Sequence, residues 1–172
     1  MNERELIVYA TPTGALADQC ATYFARAEEL GGTTAQTYPP HCTLTGFFRR
    51  RPDRVPAIVD CVTEHIASTA HPPQGAVTVV GLRQLDDWIG LELDSSWLID
   101  WTSRLAEHMP VEADEDALRR KTWLHLSLAY GADDLAPYRA PAEQLVDAAA
   151  DAQWLLGLWE RTGTDWRRLT PA

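Results

Sequence analysis

Apolar positions along the chain recur with two periods. Residues 5–10, ELIVYA, form a short run of β-forming side chains, closed by Pro12 and Gly14. Leu16, Cys20, Tyr23, Ala27 and Leu30 then recur at three- and four-residue steps, which predicts a helix stopped by Gly31-Gly32. Residues 41–48, HCTLTGFF, read as a second strand. Pro52 opens a second helix with Val55, Ile58, Val59, Val62 and Ile66 on one face. AVTVVGL (76–82) and WIGLELD (88–94) read as paired strands around a turn at Gln84–Asp87. Ser95 or Ser96 can N-cap a third helix that carries Leu98, Trp101, Leu105 and Met109. An acidic loop, EADED (112–116), precedes a strand, TWLHLSLAY (122–130). A shorter helix is expected over residues 141–150, then a strand, QWLLGLWER (153–161). A turn at Gly163 leads to a short extended segment around Trp166-Arg167-Arg168.

The resulting order is β-α-β-α-β-β-α-β-α-β, with two halves that echo each other. It predicts one compact α+β unit spanning residues 1–172, built of two lobes rather than two independent domains. Composition agrees with a globular chain: of 172 residues, 45% are hydrophobic and 23% charged. The net charge of -10 argues against broad binding of duplex nucleic acid, which needs many cationic phosphate contacts. A small anionic substrate held by a few local donors stays compatible with it. Cys20, Cys42 and Cys61 are odd in number and form no CxxC pair, so neither a disulfide framework nor a zinc site is expected. Reduced thiols fit a cytoplasmic location. MNERELIVYA lacks the apolar core of a signal peptide, and no run approaches the ~18 apolar residues of a membrane span.

Two of the predicted strands share a polar pattern. His41-Cys42-Thr43 and His125-Leu126-Ser127 each place a histidine two residues before a hydroxyl, 84 positions apart. Strand side chains alternate faces. His41, Thr43 and Thr45 therefore share a face, as do His125, Ser127 and Ala129. Leu124, Leu126 and Leu128 form the opposite, apolar face of the later strand. Each polar face carries an imidazole and a hydroxyl ~6–7 Å apart along the strand. One such triplet is cheap by chance and usually marks an ordinary strand histidine. Two, both within apolar strands, point to a shared site.

Such a constellation suits a phosphodiester. Imidazole titrates near neutral pH, so one ring can act as base while the other, protonated, acts as acid. Thr43 and Ser127 can donate to nonbridging phosphate oxygens as charge builds there. No metal and no cofactor is required. His65, His71 and His108 lie on helical or proline-flanked segments and are expected at the surface. Two basic islands, FFRRRPDR (47–54) and RRK (119–121), could steer a phosphate toward the cleft, but solvated loops are their expected role.

The paired H-x-T/S motifs resemble those of the two-histidine (2H) phosphoesterase superfamily, and most closely the plant and fungal cyclic phosphodiesterases. The resemblance runs from YATP (9–12) through PPHCTL, LELDSSWLIDWTSRLAEHM and LHLSLAYG to LLGLWERTGTDWRRL. The family often has proline before both histidines; here Pro40 precedes His41 but Leu124 precedes His125. The resemblance implies two pseudo-symmetric lobes, each with an antiparallel sheet flanked by helices, and an active-site cleft between them. By position it implies His41 and His125 as the catalytic pair and Thr43 and Ser127 as phosphate-binding hydroxyls. It further implies Tyr130 as a substrate contact and Tyr9 as an aromatic that stacks on the base. The expected partner is a small cyclic nucleotide, a 2',3'-cyclic phosphate or ADP-ribose 1'',2''-cyclic phosphate, hydrolysed by a monomer. Two alternatives stay open: an enzyme that processes RNA ends, and a nucleotide-binding module without catalysis.

Overall fold

The computed structural model describes residues 3–149 and 152–171. Along the chain run β1 (Arg4–Thr13), α1 (Ala15–Glu29), a 3-10 turn (Thr34–Thr37), β2 (Cys42–Thr43), β3 (Phe48–Arg50) and α2 (Val55–Thr69). The hairpin β4 (Thr78–Leu85) and β5 (Trp88–Asp94) follows, then α3 (Ser96–His108) and β6 (Leu124–Tyr130). The chain closes with α4 (Ala136–Glu143), α5 (Leu145–Ala148), β7 (Gln153–Thr162) and β8 (Asp165–Arg168). No helix among the described residues is long and apolar enough to cross a membrane.

The expected α+β architecture, two lobes with antiparallel sheets flanked by helices, is the one observed. The strands run in the order β4-β5-β6-β2-β1-β7-β8, with β3 paired to β1 beside β2. One lobe is built on β4-β5-β6, against which α4 and α5 pack; α1 joins these helices and touches both β1 and β6. The other is built on β2, β1, β7, β8 and β3, with α2 on β7 and α3 against α2.

A narrow seam joins the lobes. β2 and β6 meet at Cys42↔Leu126. Beyond that pair, Lys121 N donates to Leu44 O (2.9 Å) and Gly46 N to Arg119 O (2.7 Å), around a bridge between Thr45 and Arg120. The helix-facing side of the sheet is mostly apolar, with the buried Glu160 and Arg50 at one end. Val8, Ala10, Leu44, Leu126, Leu128, Leu156 and Leu158 pack there against Leu16, Cys20, Ile58, Val62, Leu98 and Trp101. Alternation sends Tyr9, Thr43, His125 and Ser127 to the other side.

Several predicted boundaries move. The expected single strand over 41–48 is two strands. Tyr9 pairs with Thr43 and Leu6 with Phe48, so Ile7 and Val8 of β1 face the longer stretch Leu44 to Phe47. The surplus residues cannot all pair, and the chain bulges. Within the bulge, Thr45 Oγ1 accepts from Val8 N–H (3.1 Å) in place of a backbone carbonyl. The hairpin turn is only Asp86-Asp87, because Leu85 pairs with Trp88. Helix α2 begins at Val55, with Pro56 in its first turn, rather than at Pro52. The helix expected over 141–150 starts at Ala136 and breaks after Glu143. Pro141 lies inside it and removes an N–H from the helical ladder. Residue 150 lies outside the described residues. Ser95 is the N-cap of α3: its Oγ accepts from Leu98 N–H (3.1 Å) and donates to Ala76 O (2.6 Å).

Candidate active site

The two triplets open into the same cavity, of about 280 Å³, on the polar side of the seam. His41, Thr43 and Thr45 line one wall, and His125, Ser127 and Tyr130 line another. Arg119 and Lys121 reach it from the extended segment before β6.

His41 follows Pro39-Pro40, whose restricted backbone angles set the direction of the chain. Its Nδ1–H donates to the Pro39 carbonyl (2.6 Å). A carbonyl can only accept, so the proton of the neutral ring sits on Nδ1 and Nε2 keeps its lone pair. The imidazole stacks on Tyr9 with ring centroids 3.8 Å apart. Burial pushes its pKa down to about 4; the Pro39 carbonyl works against this and His125 adds to it.

His125 sits among indoles. Trp88 meets it edge-on (5.1 Å, 87°), and Trp123 lies 4.1 Å from it. Its Nδ1 is buried with no hydrogen-bond partner. Burial lowers its pKa. The Trp123 carbonyl nearby partly offsets this without closing a hydrogen bond, while Lys121 lowers the pKa further and Glu92 raises it. Both imidazoles therefore favour the neutral form.

Ser127 Oγ accepts a hydrogen bond from the Trp88 indole N–H (2.9 Å). The third hydroxyl of the pattern, Thr45, is fully buried and committed to Val8. Thr43 and Ser127 are half-buried and border the same cavity.

The two basic islands part company. Arg49 pairs with Glu5 (3.6 Å), Arg50 with Glu115 (3.3 Å), and Arg51 with Glu112 (3.1 Å). Arg54 reaches Glu112 and Glu115 (3.2 and 3.6 Å). The acidic loop and Glu5 of β1 therefore pair the first island away from the cavity. The second island is not the solvated loop that was expected. Its segment is extended beside residues 44–46, so Arg119 and Lys121 point to the cavity while Arg120 turns to Ser103 Oγ (2.8 Å). Neither Arg119 nor Lys121 has a carboxylate partner among the described residues.

Of the two tyrosines, Tyr130 lines the cavity, half-buried, with its hydroxyl pushed up to about 12 by burial and by neighbouring Tyr38. Tyr9 lines the cavity too, from beneath His41. It is 1% exposed and its ring lies on His41. The half-buried aromatics around that pair are Tyr38, Phe47 and Trp166, with Arg161 over the Phe47 ring. Sequence reasoning passed over Tyr38, Trp88 and Trp166. Tyr38 lies within the first motif's own stretch, whereas only strand pairing brings Trp88 and Trp166 near.

The widest depression lies elsewhere, an open groove of about 790 Å³ between α2 and α3 that contains His65 and His108. Those rings donate to helix carbonyls, His65 to Trp101 O (3.1 Å) and His108 to Arg104 O (2.7 Å). His71 accepts from Leu156 N–H (3.1 Å). All three lie outside the smaller cavity, where the paired imidazoles and free cations converge. No group of three or more His, Cys, Asp or Glu side chains placed to hold a metal ion occurs among the described residues.

No family model matches the chain. No curated protein matches it either. Among solved structures, that of Kluyveromyces marxianus Usb1 aligns with 96% of this chain and 97% of its own, at 12% identity and a TM-score of 0.46.

Proposed function

We propose that the protein is a metal-independent cyclic phosphodiesterase acting on a small nucleotide, either a nucleoside 2',3'-cyclic phosphate or ADP-ribose 1'',2''-cyclic phosphate. The observation that carries this reading is the convergence of two imidazoles, the hydroxyls of Thr43 and Ser127, and two cations without carboxylate partners among the described residues on one small cavity. In this reading His41, whose Nε2 holds a lone pair, takes a proton from water. The water oxygen attacks phosphorus, and the bond from phosphorus to the departing ribose oxygen breaks. His125, protonated once the phosphate anion is bound, gives that oxygen its proton. One water is consumed and a phosphomonoester is left. Thr43 and Ser127 donate to the nonbridging oxygens, and Arg119 and Lys121 balance their charge. Tyr130 borders the substrate, and Tyr9 holds the His41 ring in place.

The pairing of Arg49–Arg51 with carboxylates favours a small substrate over a long RNA, because it leaves fewer cations free for phosphate contacts. A binding module without catalysis would not need a lone-pair nitrogen opposite a second imidazole.

The test is turnover of 2',3'-cyclic AMP in EDTA. His41→Ala and His125→Ala are each expected to lower kcat by about 10²–10⁴-fold. Unchanged turnover in either variant sinks the mechanism, and binding without turnover at any pH favours the module.

A further inference from the structure

Trp88 packs behind two residues of the cavity wall, Ser127 and His125, from β5, a strand that contributes neither motif. Its side chain is 8% exposed, so its indole N–H must find a partner inside the protein. That partner is Ser127 Oγ, at 2.9 Å. Indole nitrogen only donates, so the serine oxygen is the acceptor and its own proton is left over. No acceptor for that proton occurs among the described residues, and Ser127 borders the cavity.

The backbone is shaped to allow this contact. The β5–β6 register shifts between Ile89 and Gly90, so that Ile89 pairs with Ala129 but Gly90 with Ser127. Residue 90 thus lies between Trp88 and the serine its indole must reach. A Cβ there would collide with Trp88 Cζ2 and with the Leu126 carbonyl oxygen. Only glycine lets the indole lie flat across the strand. The same indole meets the His125 ring edge-on, so one side chain borders both polar groups of the second triplet.

We infer that Trp88 is a positioning residue: its N–H occupies one lone pair of Ser127 Oγ and so directs the serine proton to a phosphate oxygen. The first triplet has no counterpart, since no indole donates to Thr43 among the described residues. The inference rests on the reading of the cavity as a phosphate site, and inorganic phosphate tests it apart from turnover.

Phosphate affinity is measured by NMR titration of the wild type, Trp88→Phe, Ser127→Ala and the double variant. Trp88→Phe keeps an aromatic ring and removes the donor. Each single variant is expected to weaken binding about tenfold, the loss of one charge-assisted hydrogen bond. The double variant is expected to bind no more weakly than Ser127→Ala alone, because the indole acts through the serine. Wild-type affinity in Trp88→Phe, losses that multiply, or no phosphate binding by the wild type would each overturn the inference. Should Trp88→Phe not fold, the Trp88 indole N–H resonance decides. It is expected to move upfield in Ser127→Ala, and an unmoved resonance overturns the inference. Absence of cyclic phosphate turnover by the wild type, with these phosphate results as expected, would count against the hydrolase reading alone.

Discussion

The pH response of His41 joins the fold to the proposed chemistry. The ring is packed on Tyr9 and enclosed by the seam, and burial takes its pKa from 6.5 to about 4. That drop disfavours the charged ring by about 3 kcal/mol. Below pH 6.5 the unfolded chain binds a proton at this histidine that the folded protein refuses. The resulting stability is therefore fully present above 6.5, is lost progressively as pH falls, and is gone below about 4. Urea titrations between pH 7 and 4 should show up to about 3 kcal/mol of this loss in the wild type, and the His41 component should vanish in His41→Phe. Catalysis should follow the same group. As the proposed base, His41 is competent above about pH 4, while burial depresses His125, the proposed acid, below 6.5. The kcat/KM profile for 2',3'-cyclic AMP should peak between these limits. A bound phosphate anion favours the charged imidazole, so the alkaline limb of kcat should lie at higher pH than that of kcat/KM. NMR titration of the His41 ring gives the direct reading. Titration of His41 at or above 6.5, or kcat/KM still rising beyond pH 7, refutes the reasoning.

Glu115→Ala should lower stability by about 3–5 kcal/mol, because Arg50 is 0% exposed and would keep its charge with only the Arg49 and Asp116 carbonyls as partners. Arg50→Met should cost less in the same denaturant titration; the reverse order would mean the pair is not what stabilises this loop. Replacing Arg119 or Lys121 with glutamine should raise KM about tenfold with kcat little changed, and the wild-type KM should rise with salt. An unchanged KM would remove both cations from substrate binding.

The periodic elements were legible in the sequence, and the reason is local. The α1 and α3 stripes, the β4–β5 hairpin and the Ser95 cap depend on residues a few positions apart, so their pattern is written contiguously. Where long-range pairing intervened, the reading slipped. HCTLTGFF has the composition of one strand, yet the register of β1 leaves it surplus residues and splits it. The helix after β6 was misplaced because it starts ahead of Pro137, which a first turn accepts, and runs on through Pro141, whose missing N–H weakens the ladder two residues before the break. The basic islands looked alike as strings. They differ because one meets the acidic loop and the other is extended beside Gly46.

For the candidate site the division is similar. Strand alternation alone places each imidazole with its hydroxyl, since side chains two apart must share a face in any β-strand. By itself the sequence therefore determined two half-sites and their apolar backs. Only the tertiary structure decided that the halves face one cavity, that Tyr9 stacks on His41, and that Trp88 reaches Ser127. Those outcomes depend on strand order and on the register shift at Gly90. Both arise from hydrogen bonds between segments tens of residues apart, and no local pattern encodes them.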